Sequence, residues 1–162
     1  MKPHHHRKRN IRQGLALHVT LKTTQTVFVS KVSRRLVDRL LVGYSKYFKV
    51  KVYHRAVLGN HIHLSLKPHS RESLAGFLRV LTGQLAARLK LKTGSFWLTR
   101  PWSRVLQWGK DFHTAQKYVA LNYLESIGKV IRSKNKSNLK VFGWLISEVL
   151  AKGWTVPGMQ AA

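Results

Sequence analysis

Cysteine is absent from this chain of 162 residues. That excludes disulfides, thiolate metal sites and a cysteine nucleophile together. Acidic side chains are nearly as scarce: Asp38, Glu72, Asp111, Glu125 and Glu148 stand against 30 Lys and Arg. Paired-carboxylate hydrolysis and carboxylate-rich two-metal nuclease chemistry both need several acids converging on one point, and so few acids argue against them. No apolar run approaches the roughly 20 residues that span a bilayer, and no secretory apolar segment stands near the N-terminus. What is present is positive charge, +25 net, spread along the whole chain rather than gathered in one tail. Such a chain repels itself, and a polyanion relieves the repulsion. The distribution points to a nucleic-acid surface. With 44% hydrophobic residues, the length suits one domain with a proper core.

Residues 1–13 carry charge without apolar period and read as a disordered basic arm that includes three consecutive histidines. Leu15, Leu17, Val19 and Leu21 alternate with His18 and Thr20, which predicts a first strand. Residues 32–48 change to helical spacing, with Val32, Leu36, Leu40, Tyr44 and Phe48 on one stripe, Val37 and Leu41 beside it, and Ser33 as the cap. Period two returns over residues 50–58, where Val50, Val52, Ala56 and Leu58 share one face and Lys51, Tyr53 and Arg55 the other. Gly59-Asn60 then reads as a tight hairpin turn into Gly59-Asn60-His61-Ile62-His63-Leu64-Ser65-Leu66. Ser70 opens a second helix buried through Leu74, Phe77, Leu78, Leu81, Leu85 and Leu89. An aromatic stretch broken by Pro101 leads to a last strand near Ser103–Gln107. Asp111 is expected to cap a third helix through about Ile127. A basic linker over 132–137 precedes an amphipathic segment from Leu139 to about Leu150.

The order strand–helix–strand–strand–helix–strand fits an α+β fold, a ferredoxin-like split βαβ antiparallel sheet with helices on one face and added C-terminal helices. The domain plan is a basic arm over 1–13, a core domain over 14–131, and a basic linker with a C-terminal helix and tail over 132–162. One sheet face is left free, and alternation puts His18, His61 and His63 on it. Single-stranded nucleic acid can lie on such a face.

His61 and His63 sit at adjacent pleat positions and can share one divalent ion, although two half-exposed strand histidines have the same spacing. Tyr118, Asn122 and Glu125 fall at i, i+4 and i+7 on one face of the third helix. Tyr118 is either a core or rim ring, or a phenol that nearby cations activate as a nucleophile. Asn122 offers an amide oxygen as a further metal ligand, and Glu125 offers the same or orients a water. Tyr123 competes for the nucleophile role but points away from the face of Asn122. Arg100, Trp102 and Arg104 interleave cations with a ring, suited to phosphate contact and base stacking. Trp97 and Trp102 equally suit sealing a core. Lys51 and Arg55 are placed beside the strand path.

The segments His18-Val19-Thr20-Leu21, Gly59-Asn60-His61-Ile62-His63-Leu64, Phe96-Trp97 and Tyr118-x-x-x-Asn122 occur in an order and at intervals that resemble single-tyrosine HUH transposases of the IS200/IS605 type. The REP-associated tyrosine transposase branch is the nearest in pattern. The resemblance spans about residues 15–130. It implies a single-stranded DNA endonuclease and strand transferase, with His61, His63 and Asn122 holding Mg²⁺ or Mn²⁺. Tyr118 would attack the scissile phosphate to form a 5′-phosphotyrosine. It also implies single-stranded or hairpin DNA as partner, a monomer or homodimer, and a cytoplasmic, nucleoid-associated location. Two departures stand out. Asn122-Tyr123 replaces the Asn-Pro often found in REP-associated members, and no acid accompanies the His pair. The alternative function is a non-catalytic single-stranded nucleic-acid-binding module on the same sheet.

Overall fold

Hydropathy period decides the elements, and the register of the sheet decides what faces what. A computed structural model of the protein describes residues 14–89, 94–129 and 143–151. Its elements are β1 (Ala16–Lys22), α1 (Lys31–Tyr47), β2 (Val50–Val57), β3 (His61–Pro68), α2 (Arg71–Leu89), β4 (Trp102–Leu106), α3 (Lys110–Ser126) and α4 (Gly143–Ala151). The basic arm and the 132–137 linker lie outside the described residues. The strands form one sheet in the order β2-β3-β1-β4, with every pairing antiparallel. This is the expected ferredoxin-like arrangement.

Alternation along β1 and β3 sends Leu17, Val19, Leu21, Ile62, Leu64 and Leu66 to one face, where they meet Val37 and Leu41 of α1 and Phe77, Leu81 and Leu85 of α2 in the main core. Gly76 lets the two helices approach closely, because a Cβ there would stand 2.5 Å from the ring of Phe48. Ser30, not Ser33, caps α1: its hydroxyl accepts the Ser33 N–H at 3.0 Å, and Ser33 itself is buried one turn in. Val32 is 77% exposed and outside the core, since it precedes the first turn that reaches the sheet. Ser70 caps α2 as expected, accepting the Ser73 N–H. Among the described residues, no helix is long and apolar enough to cross a membrane.

The opposite face is only partly open. Helix α3 lies across it, packing Phe112 and Ala115 onto Ala16 of β1 and Leu106 of β4, with Tyr53 at the margin. Helix α4 packs in turn on α3 through Ile146, Ala120 and Leu124. Asp111 is not the cap of α3. Gly109, at φ 89°, holds that position, and Asp111 instead closes the preceding turn by accepting the Gln107 N–H and an Arg104 N–H.

A β-bulge interrupts β2 between Val52 and His54. The extra residue reverses the alternation beyond it. His54 pairs with Ser65 and Ala56 with His63, whereas Arg55 pairs with Leu64. Arg55 therefore stands on the α1/α2 face, where it forms an ion pair with Asp38 of α1. The expectation that Arg55 flanks a nucleic-acid path on the His face is corrected by this bulge. Burial dominates both partners, pushing the Asp38 carboxyl up and the Arg55 guanidinium down against their mutual attraction.

Candidate active site

Cross-strand pairing assembles the site in rows. One row runs Ala56, His63, Thr20 and Trp102 across β2, β3, β1 and β4; the next runs His54, Ser65, His18 and Arg104. His61, opposite Lys22, begins a third. All these residues share the face that carries α3. The parity argument brought His18, His61 and His63 to one face, and antiparallel register makes the first and third of them neighbours.

His63 is 5% exposed and His18 8%. The Nδ1 of His63 lies 3.2 Å from His18 Nε2 and 3.2 Å from Thr20 Oγ1, and the two rings stack at 5.2 Å. His18 is thus committed to His63 rather than standing as a third ligand. Burial, and secondarily the Arg104 charge, push His18 below the usual imidazole pKa. His61 is lowered by burial first and Lys22 next, with Glu125 opposing them. Burial alone lowers His54. Asn60 Oδ1 accepts from His61 Nδ1 at 2.7 Å, which leaves the Nε2 lone pair as the ligand atom of that ring.

Helix α3 brings Tyr118 over the histidines. Its ring centroid lies 5.4 Å from that of His63 and 5.8 Å from that of His18, edge-on in both cases. The ring is 42% exposed, so one side of it faces solvent above the sheet. Tyr123 turns the other way, packing with Ala120, Leu124 and Ile146 and acting on the Arg55 charge. Asn122 is buried beneath Tyr118, and its amide nitrogen donates to the Tyr118 carbonyl at 2.8 Å. The amide oxygen is then the atom Asn122 can offer to a cation. Glu125, one further turn along, comes near enough to His61 to act on its charge.

The described residues contain no group of three or more His, Asp or Glu side chains arranged to hold a metal ion. The available donors are narrower: two imidazoles and one amide. The His61 and His63 ring centroids are 4.8 Å apart. Two imidazole nitrogens bound about 2.1 Å from one ion at 90° to tetrahedral angles put their centroids roughly 4.6–5.3 Å apart. The His61–His63 centroid separation falls within that range.

Of the other residues singled out in the sequence, Trp102 is 51% exposed with its ring 5.9 Å from His18. Trp97 instead packs on the main core and donates its indole N–H to Thr82 of α2. Arg104 stands beside His18 and pairs with Asp111 at 2.9 Å. Arg100 is exposed in the bend before β4. Lys51 is exposed on the His face, four pairings along the strand from His63. Two contributors were not named as site residues from sequence, His18 and Thr20. Their signal was present in the parity of β1, but their contact with His63 needs the β1/β3 register.

No protein-family model and no curated protein sequence matches this chain. Solved structures similar to it include two that carry transposase names. A REP-associated tyrosine transposase bound to a REP hairpin superposes with a TM-score of 0.64 at 16% identity, over 77% of this chain and 75% of the other. A protein from Deinococcus radiodurans R1 that carries a provisional transposase name superposes at 0.48 and 17% identity, over 73% and 98%. The first superposition establishes that this chain has the fold of a REP-associated tyrosine transposase.

Proposed function

We propose that this chain is a transposase-type enzyme: a metal-dependent single-stranded DNA endonuclease and strand transferase with Tyr118 as nucleophile. The observation that carries the proposal is the approach of Tyr118, from α3, to within 5.4 Å ring-to-ring of His63, from β3, on one partly open sheet face. A core or rim tyrosine has no need of that neighbourhood. The shared fold with a hairpin-bound tyrosine transposase adds weight, and the +25 charge supplies affinity for DNA.

In this account the Tyr118 hydroxyl oxygen forms a bond to the scissile phosphorus while the bond from phosphorus to the 3′-oxygen breaks. The phenol proton leaves toward solvent on the exposed side of the ring, and the departing oxygen takes up a proton as a free 3′-hydroxyl. The downstream fragment stays on Tyr118 through its 5′-phosphate as a 5′-phosphotyrosine, and a second 3′-hydroxyl reverses the step. Each exchange replaces one phosphoester with another, so no nucleoside triphosphate is required. His61 and His63 through Nε2, and Asn122 through its amide oxygen, would hold Mg²⁺ or Mn²⁺, which when bound polarises a phosphate oxygen as a Lewis acid. With His63 Nδ1 held at 3.2 Å by His18 Nε2 and Thr20 Oγ1, a proton on Nδ1 would leave Nε2 of that ring as the atom to face the ion. Trp102 and Arg104 flank the histidines and suit a stacked base and a backbone phosphate. An enzyme of this kind belongs with the chromosome, in the nucleoid.

The test is to incubate the protein with Mn²⁺ and labelled hairpin DNA bearing single-stranded flanks. The expected result is an adduct that survives SDS, is lost in Tyr118→Phe and is kept in Tyr123→Phe. Tight binding with no adduct across many substrates would support the non-catalytic binding module instead.

A further inference from the structure

Lys51 and Lys67 are directly opposed across β2 and β3. Like charges in that position destabilise a sheet, yet each ammonium is held over an aromatic ring. Lys51 Nζ lies 5.4 Å from the centroid of the Tyr53 ring, and Lys67 Nζ lies 5.7 Å from that of Trp108. The rings are themselves built in. Trp108 donates its indole N–H to the Gly14 carbonyl at 3.0 Å and packs on Phe112 at 4.7 Å, while Tyr53 packs on Phe112 at 5.2 Å. Each of the two opposed lysines is therefore held on its own aromatic support, with Lys51 exposed and Lys67 half-buried.

Their position adds meaning to the arrangement. Lys67 follows His63 by four residues on β3, so it shares the His face and lies about 13 Å along the strand. That distance falls within a short single-strand footprint. We propose that Lys51 and Lys67 form a second backbone-phosphate site, which binds the same DNA strand whose scissile phosphate sits beside Tyr118. An anion between the two ammonium groups relieves the repulsion that the ladder imposes. This inference rests on single-stranded DNA lying on the His face, and it deepens that reading by fixing where the strand is gripped away from the chemistry.

The test reads binding alone, in Tyr118→Phe protein, so it does not depend on cleavage. Anisotropy of a labelled hairpin with single-stranded flanks is followed against salt for the Lys51→Gln/Lys67→Gln pair and for a control pair, Lys31→Gln/Lys46→Gln, on the exposed side of α1. Loss of two phosphate contacts to a single strand lowers the log–log salt slope by about 1.4 and weakens binding about tenfold near physiological salt. The control pair is expected to change both by much less. A scan with one neutral methylphosphonate at each linkage in turn is expected to find a position that weakens Lys51/Lys67 protein and leaves the double variant unaffected. The double variant is also expected to melt no lower than its parent. An unchanged slope with an identical methylphosphonate profile would overturn the proposal. So would a lower melting temperature with that profile intact, which would make the lysines structural.

Discussion

Removing the His18 ring should loosen the metal pair without touching either ligand. In His18→Ala, His63 Nδ1 loses its contact with His18 Nε2 at 3.2 Å and keeps that with Thr20 Oγ1. It also loses the ring stacked on it at 5.2 Å. The space opened lies between the rings of Tyr118 and Trp102, which flank His18 at 5.8 and 5.9 Å. Loss of a partner that orients a ligating histidine weakens metal binding about 10–100-fold, which is about 1.4–2.7 kcal/mol. Folding stability should also fall by about 1–3 kcal/mol, because a buried polar atom loses a partner. Mn²⁺ affinity is read by electron paramagnetic resonance titration and stability by urea unfolding under chelator. Thr20→Val should act in the same direction, and the double variant should lose more Mn²⁺ affinity than either single change. Mn²⁺ bound as tightly by His18→Ala as by the parent would refute the claim that His18 orients His63.

Burial lowers the pKa of His18, His54 and His61 from 6.5 in the folded state. The unfolded chain thus binds more protons, and the stability these groups contribute is present above pH 6.5 and lost as pH falls through their folded values. Urea midpoints under chelator should drop between about pH 7.5 and pH 5, and a flat or rising profile would contradict the assigned burial. Asp38→Asn should cost about 3 kcal/mol in the same assay, since it leaves the buried Arg55 charge without its counter-ion, whereas a change under about 1 kcal/mol would mean that the pair is solvated. Ser65 is fully buried, and its hydroxyl makes no hydrogen bond among the described residues. Ser65→Ala should therefore stabilise the protein by about 1 kcal/mol, and a loss of that size would reveal a partner for the hydroxyl.

The parts of the fold that were legible in the sequence are those where period and side-chain chemistry agree. Leu17, Val19 and Leu21 alternate without interruption, and the Gly59-Asn60 turn fixes the phase of His61 and His63. The helix of Tyr118 was readable from its i, i+4, i+7 face. Arg55 was misplaced because one bulged residue reverses the parity of β2, and no side chain near Val52 announces it. Ser30 and Ser33 are chemically equal as caps. The choice between them depends on where the chain leaves the loop, and Phe28, buried with the Arg34 guanidinium on its carbonyl, sets that point. The free sheet face proved partly covered because the hydrophobic side of α3, through Phe112 and Ala115, finds Ala16 and Leu106. Those two residues lie on strands separated by 90 positions in sequence. The role of His18 was hidden for the same reason: a contact across 45 residues belongs to the register rather than to any local pattern.

The central claim is that one phenol on α3 takes the DNA strand. The most direct measurement is peptide mapping by mass spectrometry of the covalent complex formed with Mn²⁺ and hairpin DNA, after nuclease trimming. The account predicts a nucleotide phosphate on the peptide containing Tyr118, attached to that side chain. A modification on Tyr123, or on any residue outside α3, would contradict it.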